Sequence, residues 1–415
     1  MNSSLPNTTP PATRRLLVVV GGLLTVGVGV LVLARGGDKP LLPAFDFVQY
    51  WSAGRLNLHG QNPYDPELLY PLERQAGWGN EEVAVMMWNP PWTLTLVMPL
   101  GALPNKVAQI VWLLLHLAIV MVCARTIWLL YAGPRQRLCI AWALTLGFAP
   151  TLFLLMMGQI SGLLLLGLTG FLWGERNNRP WIAGASAALC AVKPHLGLLF
   201  AVALALEALR SRRTFGIALR GAAVLAAGAL VPLAFNPEVW SQYRTATQLP
   251  AAGAHVPLTD WVHPTVGYEL RKVIPGEPFW VQFVPTALAL AALPLYWWLR
   301  RNHWNWLEEL PRLTLVGALT VCYGGWAFDL VVLLLPVLQA AVWLLQLRRP
   351  ALSIAFAAAF VVQNALLLWS VREAGSQSNP WITPSVLAPY VILALIRHAT
   401  PPAQENEAGT LCAAR

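Results

Sequence analysis

Four positions are polar where the surrounding chain is apolar: Asp46, Gln159, Lys193 and Asp329. Asp46 opens the island AFDFVQYWSAGRLNLHGQNPYDP (44–66), whose aromatic helical phase carries Tyr50 and Trp51 and whose turn signal is Asn62-Pro63-Tyr64-Asp65-Pro66. A carboxylate near the outer end of a membrane helix gains basicity from its low-dielectric surroundings, which suits a general base taking a proton from a hydroxyl. Equally, it can cap the helix that holds Tyr50, Trp51 and Arg55. Arg55 and His59 follow on the same segment, either as phosphate ligands or as a solvated face. Asp65 belongs to the turn.

Lys193 lies in AALCAVKPHLGLLF, where a cation at the bilayer centre costs about 2.5–3.5 kcal/mol. Pro194 interrupts a helix at that point, so Lys193 and His195 fall on a bend that can face a cavity. The lysine either snorkels at a hairpin tip or holds a phosphate, for which its compact charge and three donors are suited. Asp329, in VCYGGWAFDLVVLLLP, either caps the next helix or orients a sugar hydroxyl. Gln159, after Gly158 at a turn, either caps a helix or binds a sugar. His116, inside an apolar run, reads as a core histidine.

These residues need elements to position them, and composition says which kind. Of 415 residues 57% are apolar and 11% charged, with 20 Trp, which marks an all-α polytopic membrane protein. After a Pro/Ser/Thr/Asn-rich, disordered and cytoplasmic 1–13, a retained first span is expected over 16–33. Further spans are expected at 107–131, 138–157, 160–173, 181–209 broken at Lys193-Pro194, 215–235, 281–299, 313–326, 329–347, 351–370 and 381–396. Residues 92–103 are too short to cross and are expected to be re-entrant or interfacial. With the broken segment taken as two legs, the count is about twelve. One domain then covers 14–397, with outer loops 34–106 and 236–280 and a cytoplasmic tail over 398–415.

With both termini cytoplasmic, most of the 28 Lys and Arg fall on the inner side and most of the 19 Asp and Glu on the outer side. The net charge of +9 is therefore a topology signal and calls for no nucleic acid. Asp46, Gln159, Lys193 and Asp329 all come out at the extracytoplasmic face of a cell inner or plasma membrane. The five cysteines show no CxxC, and no metal or disulfide framework is read from them. GxSxG, HExxH and Walker sequences are absent.

Five elements in order resemble glycosyltransferase family 87: D-F-x-x-Y-W-x-A-G-R-L-x-L-x-G-x-x-P-Y-D-P (46–66), N-P-P-W with P-L-x-x-L-P (89–104), G-Q-x-x-x-L-L-L (158–165), A-x-K-P-x-L-G-L-L (191–199) and D-L-V-V-L-L-L-P (329–336). The resemblance implies a GT-C-like bundle with a functional first outer loop. It also implies a polyprenyl-phosphate-linked sugar, mannose or another hexose, as donor, and a lipid or glycan acceptor. On that reading Asp46 is the catalytic base, and Lys193, His195 and Arg55 hold the donor phosphate. Asp329, Gln159, Tyr50, Trp51 and His59 contact sugar or acceptor. A phosphate leaving group needs no general acid, attack opposite it inverts the anomeric carbon, and neither cofactor nor metal is called for. Acceptor contacts are expected from the aromatic loop carrying Trp240, Tyr243, His255, Asp260, Trp261, His263 and Tyr268. A secondary transporter or lipid flippase would share the broken helix and buried charge, but would place them at the midplane of two related halves.

Overall fold

A computed structural model describes residues 46–78, 84–248, 262–374 and 379–399. The expected first span at 16–33, and with it His255, Asp260 and Trp261, lies outside the described residues. What is described is all-helical, without strands.

Among the described residues six helices are long and apolar enough to cross a membrane: Asn105–Leu130, Arg212–Ala234, Phe279–His303, Asp329–Leu347, Pro350–Glu373 and Ile382–Ala399. A seventh crossing is added if the bent pair Arg135–Leu146 and Ala149–Met157 counts as one. In chain order the α-helices are α1 (Phe47–Leu58), α2 (Pro66–Gln75), α3 (Leu94–Gly101), α4 (Asn105–Leu130), α5 (Leu138–Leu146), α6 (Ala149–Met157), α7 (Ser161–Arg176), α8 (Pro180–Leu189) and α9 (Leu198–Arg210). They continue with α10 (Arg212–Leu230), α11 (Val239–Gln248), α12 (Val266–Lys272), α13 (Val284–Arg300), α14 (Trp306–Thr320), α15 (Leu334–Leu347), α16 (Pro350–Ala374) and α17 (Ile382–Ala399).

Helix α4 shows how such a chain is sorted. Ala108, Trp112, His116, Ile119, Cys123 and Ile127 repeat at helical spacing and are buried, while Val107, Ile110, Leu114, Leu115 and Val122 are exposed. Exposed aliphatic side chains in that number are the signature of a face that meets lipid. The helices also differ in depth: 67% of the apolar stretch in Asp329–Leu347 is buried, against 11% in Pro350–Glu373. The former is a central post and the latter a lipid-facing strut.

Two expected spans take a different form, and the short stretch expected to be re-entrant or interfacial is a short helix. Residues 138–157 are two helices meeting at 62°, because Gly147 ends α5 and Pro150, lacking an N–H, sits in the first turn of α6. The 313–326 stretch stops being helical at Thr320, and Gly324 and Gly325 then turn the chain at φ 74° and 70°. Residues 92–103 hold a three-residue 3₁₀ turn and the short helix α3. This helix lies against α1 so closely that a methyl group on Gly54 would come within 2.7 Å of the Val97 carbonyl, and one on Gly101 would strike the Arg55 backbone. Small residues at such a crossing let backbones touch. The contact fixes the helix whose first turn presents Asp46.

Candidate active site

Asp46 occupies the position before α1, yet its side chain makes no capping hydrogen bond. Its backbone N–H donates to the Met157 carbonyl at 2.9 Å, tying the start of α1 to the end of α6. There Gly158 turns the chain at φ 65°, a conformation that costs glycine nothing. Trp112 Nε1 donates to the Gly158 carbonyl at 2.7 Å, locking the turn that delivers Gln159.

Gln159 is the hub. Its Nε2 donates to Asp46 Oδ2 at 2.8 Å, and its Oε1 accepts from Tyr50 Oη at 2.7 Å and from Lys193 Nζ at 3.0 Å. The amide can face only this way, since an ammonium is purely a donor and an ionised carboxylate purely an acceptor. Lys193 Nζ also donates to Asp329 Oδ1 at 2.6 Å, with side-chain exposures of 8% and 0% for the ion pair. Ser161 Oγ donates to that same oxygen at 2.6 Å. A continuous relay therefore runs Asp46–Gln159–Lys193–Asp329–Ser161, drawing on residues up to 283 positions apart in the chain (46 to 329).

The break that releases Lys193 from a helix is also supported. After α8 the chain makes a 3₁₀ turn over Cys190–Val192, and Lys193 leaves it at φ −135°, ψ 76°, because Pro194 disfavours helical backbone in the residue before it. The carbonyls of Ala191 and Val192 accept from Trp92 Nε1 at 3.1 Å and Asn89 Nδ2 at 2.7 Å. The N-P-P-W motif thus supplies donors to backbone oxygens that a continuous helix would have satisfied itself.

Burial pushes the Asp46 carboxyl up to about 6, against opposing contributions from the Gln159 hydrogen bond and the Lys193 charge, with the Asp329 charge adding to the rise. Such a group is ionised at neutral pH and basic enough to take a proton there. On Asp329, Oδ2 has no hydrogen-bond partner among the described residues, and neither has His195 Nε2. Both border Gly324, where a methyl group would lie 2.8 Å from His195 Nε2 and 3.5 Å from Asp329 Oδ2. Buried polar atoms without a protein partner cost stability, and these two are free to bond a polar group brought between them. Lys193 uses two of its three N–H donors on Gln159 and Asp329 and lies 5.1 Å from the centre of the Phe328 ring.

Comparison with protein-family models matches residues 88–371 to glycosyltransferase family 87. The chain belongs to glycosyltransferase family 87. The matched region of this family 87 glycosyltransferase holds Gln159, Ser161, Lys193, His195 and Asp329 and starts beyond Asp46, which is joined to it by hydrogen bonds to the Met157 carbonyl and from Gln159 Nε2. Comparisons with curated proteins and with solved structures return no match.

The structure gathers Asp46, Tyr50, Gln159, Lys193, His195 and Asp329 and leaves three other sequence candidates outside the cluster. Trp51 Nε1 donates to the Leu103 carbonyl at 3.0 Å and Arg55 Nη1 to the Gly101 carbonyl at 3.2 Å, so both rivet α1 to α3. His59 is exposed and its Nδ1 lies 2.7 Å from the Arg55 carbonyl at the end of α1. Arg55 stands nine residues from Asp46, roughly 13 Å along a helix. In the aromatic loop, Trp240 packs on Trp92 with ring centres 5.7 Å apart, and Tyr243 on Tyr64 at 5.1 Å. His263 accepts from the Gly324 N–H at 3.1 Å, which brings that loop to the edge of the cluster. Ser161, Asn89 and the indole of Trp92 also hold the cluster in place and had no role assigned from the sequence; the N-P-P-W motif carried a signal for two of them, and Ser161 carried none. His116 is buried against Trp112, its ring 4.2 Å away, and Asp65 caps α2 through Glu67 N at 3.0 Å.

Proposed function

We propose that this family 87 glycosyltransferase moves a hexose, mannose or a close relative, from a polyprenyl phosphate to a lipid or glycan hydroxyl at the extracytoplasmic face of the plasma membrane. The fold this requires is a GT-C-like bundle of about twelve crossings; the described residues hold six or seven helices long and apolar enough to cross, the apolar run at 16–33 would add one, and shorter apolar helices such as Pro180–Val192 would have to make up the rest. The observation that carries the reading is the relay from Asp46 through Gln159 to the buried Lys193–Asp329 pair.

In this reading Asp46 takes the proton of the acceptor hydroxyl as that oxygen attacks the anomeric carbon. The C–O bond to the phosphate breaks, and the departing phosphate carries away the electron pair. Lys193 turns its remaining N–H donor to a phosphate oxygen, where a charge-assisted bond is strongest as charge builds. Asp329 Oδ2 and His195 Nε2 meet a hydroxyl of the sugar. Attack opposite the phosphate inverts the anomeric configuration.

The test is transfer from radiolabelled polyprenyl-phosphate mannose into membrane lipid extracts, with the anomeric configuration of the product read by NMR. Label transfer with inversion is the expected result. Transfer with retention would exclude Asp46 as a simple base, and the absence of transfer from any polyprenyl-phosphate hexose would exclude the donor class.

A further inference from the structure

A second constellation sits at the far end of the same helices. The segment from Asp329 to Leu347 starts at the relay and ends roughly 27 Å away. Helix α4 starts near Gly158, through Trp112, and ends at Leu130; the α5–α6 pair ends at Met157 and begins beside Arg137. All three lead from the relay to a cleft of about 720 Å³ whose lining includes Ala132, Pro134, Arg137, Arg348, Arg349 and Ser353.

Among the described residues no acidic residue lines this cleft and none of its three arginines forms an ion pair. Other arginines are handled differently: Arg210 is held by Glu207, and Arg300 and Arg312 by Glu308 and Glu309. Leu344, Leu345 and Ser353 also line an adjoining groove of about 210 Å³ between α5, α15, α16 and α17, walled by Leu144, Val337, Ala341, Phe356 and Phe360. One wall is α16, the lipid-facing strut. A cationic mouth that runs into an apolar trough open to the membrane matches an amphiphile with an anionic head.

We propose that this end binds an anionic phospholipid, with its phosphodiester between Arg137, Arg348 and Arg349 and an acyl chain in the groove. Guanidinium forks match phosphate oxygens in pairs, and basic pockets between membrane helices select anionic headgroups. A free phosphate would satisfy the arginines and leave the groove unused, so the lipid is the occupant that uses both halves.

The test is native mass spectrometry of the full-length protein with dioleoyl phosphatidylglycerol or dioleoyl phosphatidylcholine, together with unfolding temperature in each lipid and in inorganic phosphate. Retention and thermal stabilisation by phosphatidylglycerol alone are expected. The triple variant Arg137→Gln, Arg348→Gln, Arg349→Gln should lose about tenfold or more of that retention while unfolding as wild type does in phosphatidylcholine. Ala357→Trp, at the exposed edge of the groove, should weaken retention with every arginine in place, and so keeps the test alive if the triple variant does not fold. Equal retention of both lipids, equal retention by the variants, or equal stabilisation by inorganic phosphate would overturn the proposal. So would variants that alter the oligomeric mass and leave lipid retention unchanged, since the face would then be an interface between copies. None of these residues touches the relay, so the outcome is independent of the transfer assay.

Discussion

Two fully buried carboxylates, Asp329 and Glu309, are built in contrasting ways. Glu309 is paired along and next to its own helix: Oε1 accepts from Arg300 Nη2 at 3.0 Å and Arg312 Nη1 at 2.9 Å, and Oε2 from the Tyr296 hydroxyl. Both oxygens are used, and both arginines reach solvent. Asp329 draws its partners from 136 and 168 residues away, through one oxygen only, and the lysine that pairs with it is itself buried. A local, saturated network stabilises a helix pair. A long-range network with one oxygen left unpaired keeps capacity for a ligand, and the comparison predicts that the two sites fail differently when broken.

The largest effect should follow Lys193→Met. It leaves Asp329 buried without a counter-charge, a loss of about 3–5 kcal/mol, and should lower sugar transfer by about 10² or more. The double variant Lys193→Met, Asp329→Asn removes both charges, so thermal unfolding in a detergent micelle should recover most of the lost stability while transfer stays down. Recovery of transfer together with stability would reduce the pair to scaffolding, on a par with Glu309.

A smaller effect is expected at the hub. Gln159→Leu removes the hydrogen bond that opposes the rise in the Asp46 pKa. Wild-type kcat/KM should fall tenfold for each pH unit below about 6, because the base works only when ionised, and stay flat above it. In Gln159→Leu that acid limb should move to higher pH, and an unmoved limb would uncouple Gln159 from the titrating group. Stability carries the opposite sign. The folded state binds the Asp46 proton more tightly than the unfolded chain, whose ordinary value is 3.8, so this group's contribution declines as pH rises from about 4 to about 6.

The smallest effect on activity should be at Glu309→Gln, which is expected to cost about 1–3 kcal/mol of stability and leave the transfer rate of the folded fraction near wild type. A transfer defect as deep as that of Lys193→Met would abolish the distinction between the two networks.

The same contrast explains what could be read from the sequence. Asp46, Gln159, Lys193 and Asp329 were legible because each is a costly residue in apolar surroundings, and the cost is visible without a structure. Ser161 was not, since a single serine hydroxyl in SGLLLLGL breaks no pattern. Arg55 and His59 were grouped with Asp46 because they are near in sequence, whereas the helix carries Arg55 to α3 and His59 to its own exposed end. Most spans were legible as apolar runs. The bend at Gly147 was hidden because hydropathy is continuous across 138–157, and the end of α14 at Thr320 because apolar residues continue up to the Gly324-Gly325 turn.

The central claim is that the relay ends in a base, and Asp46→Asn tests it most directly. The measurement is the rate of sugar transfer from polyprenyl-phosphate mannose by wild type and Asp46→Asn, at matched amounts of folded protein and with donor binding measured in parallel. A fall in rate of about 10²–10⁴ with donor binding retained is the predicted result. Near-normal transfer by Asp46→Asn would contradict the account and send the search for the base to Asp329.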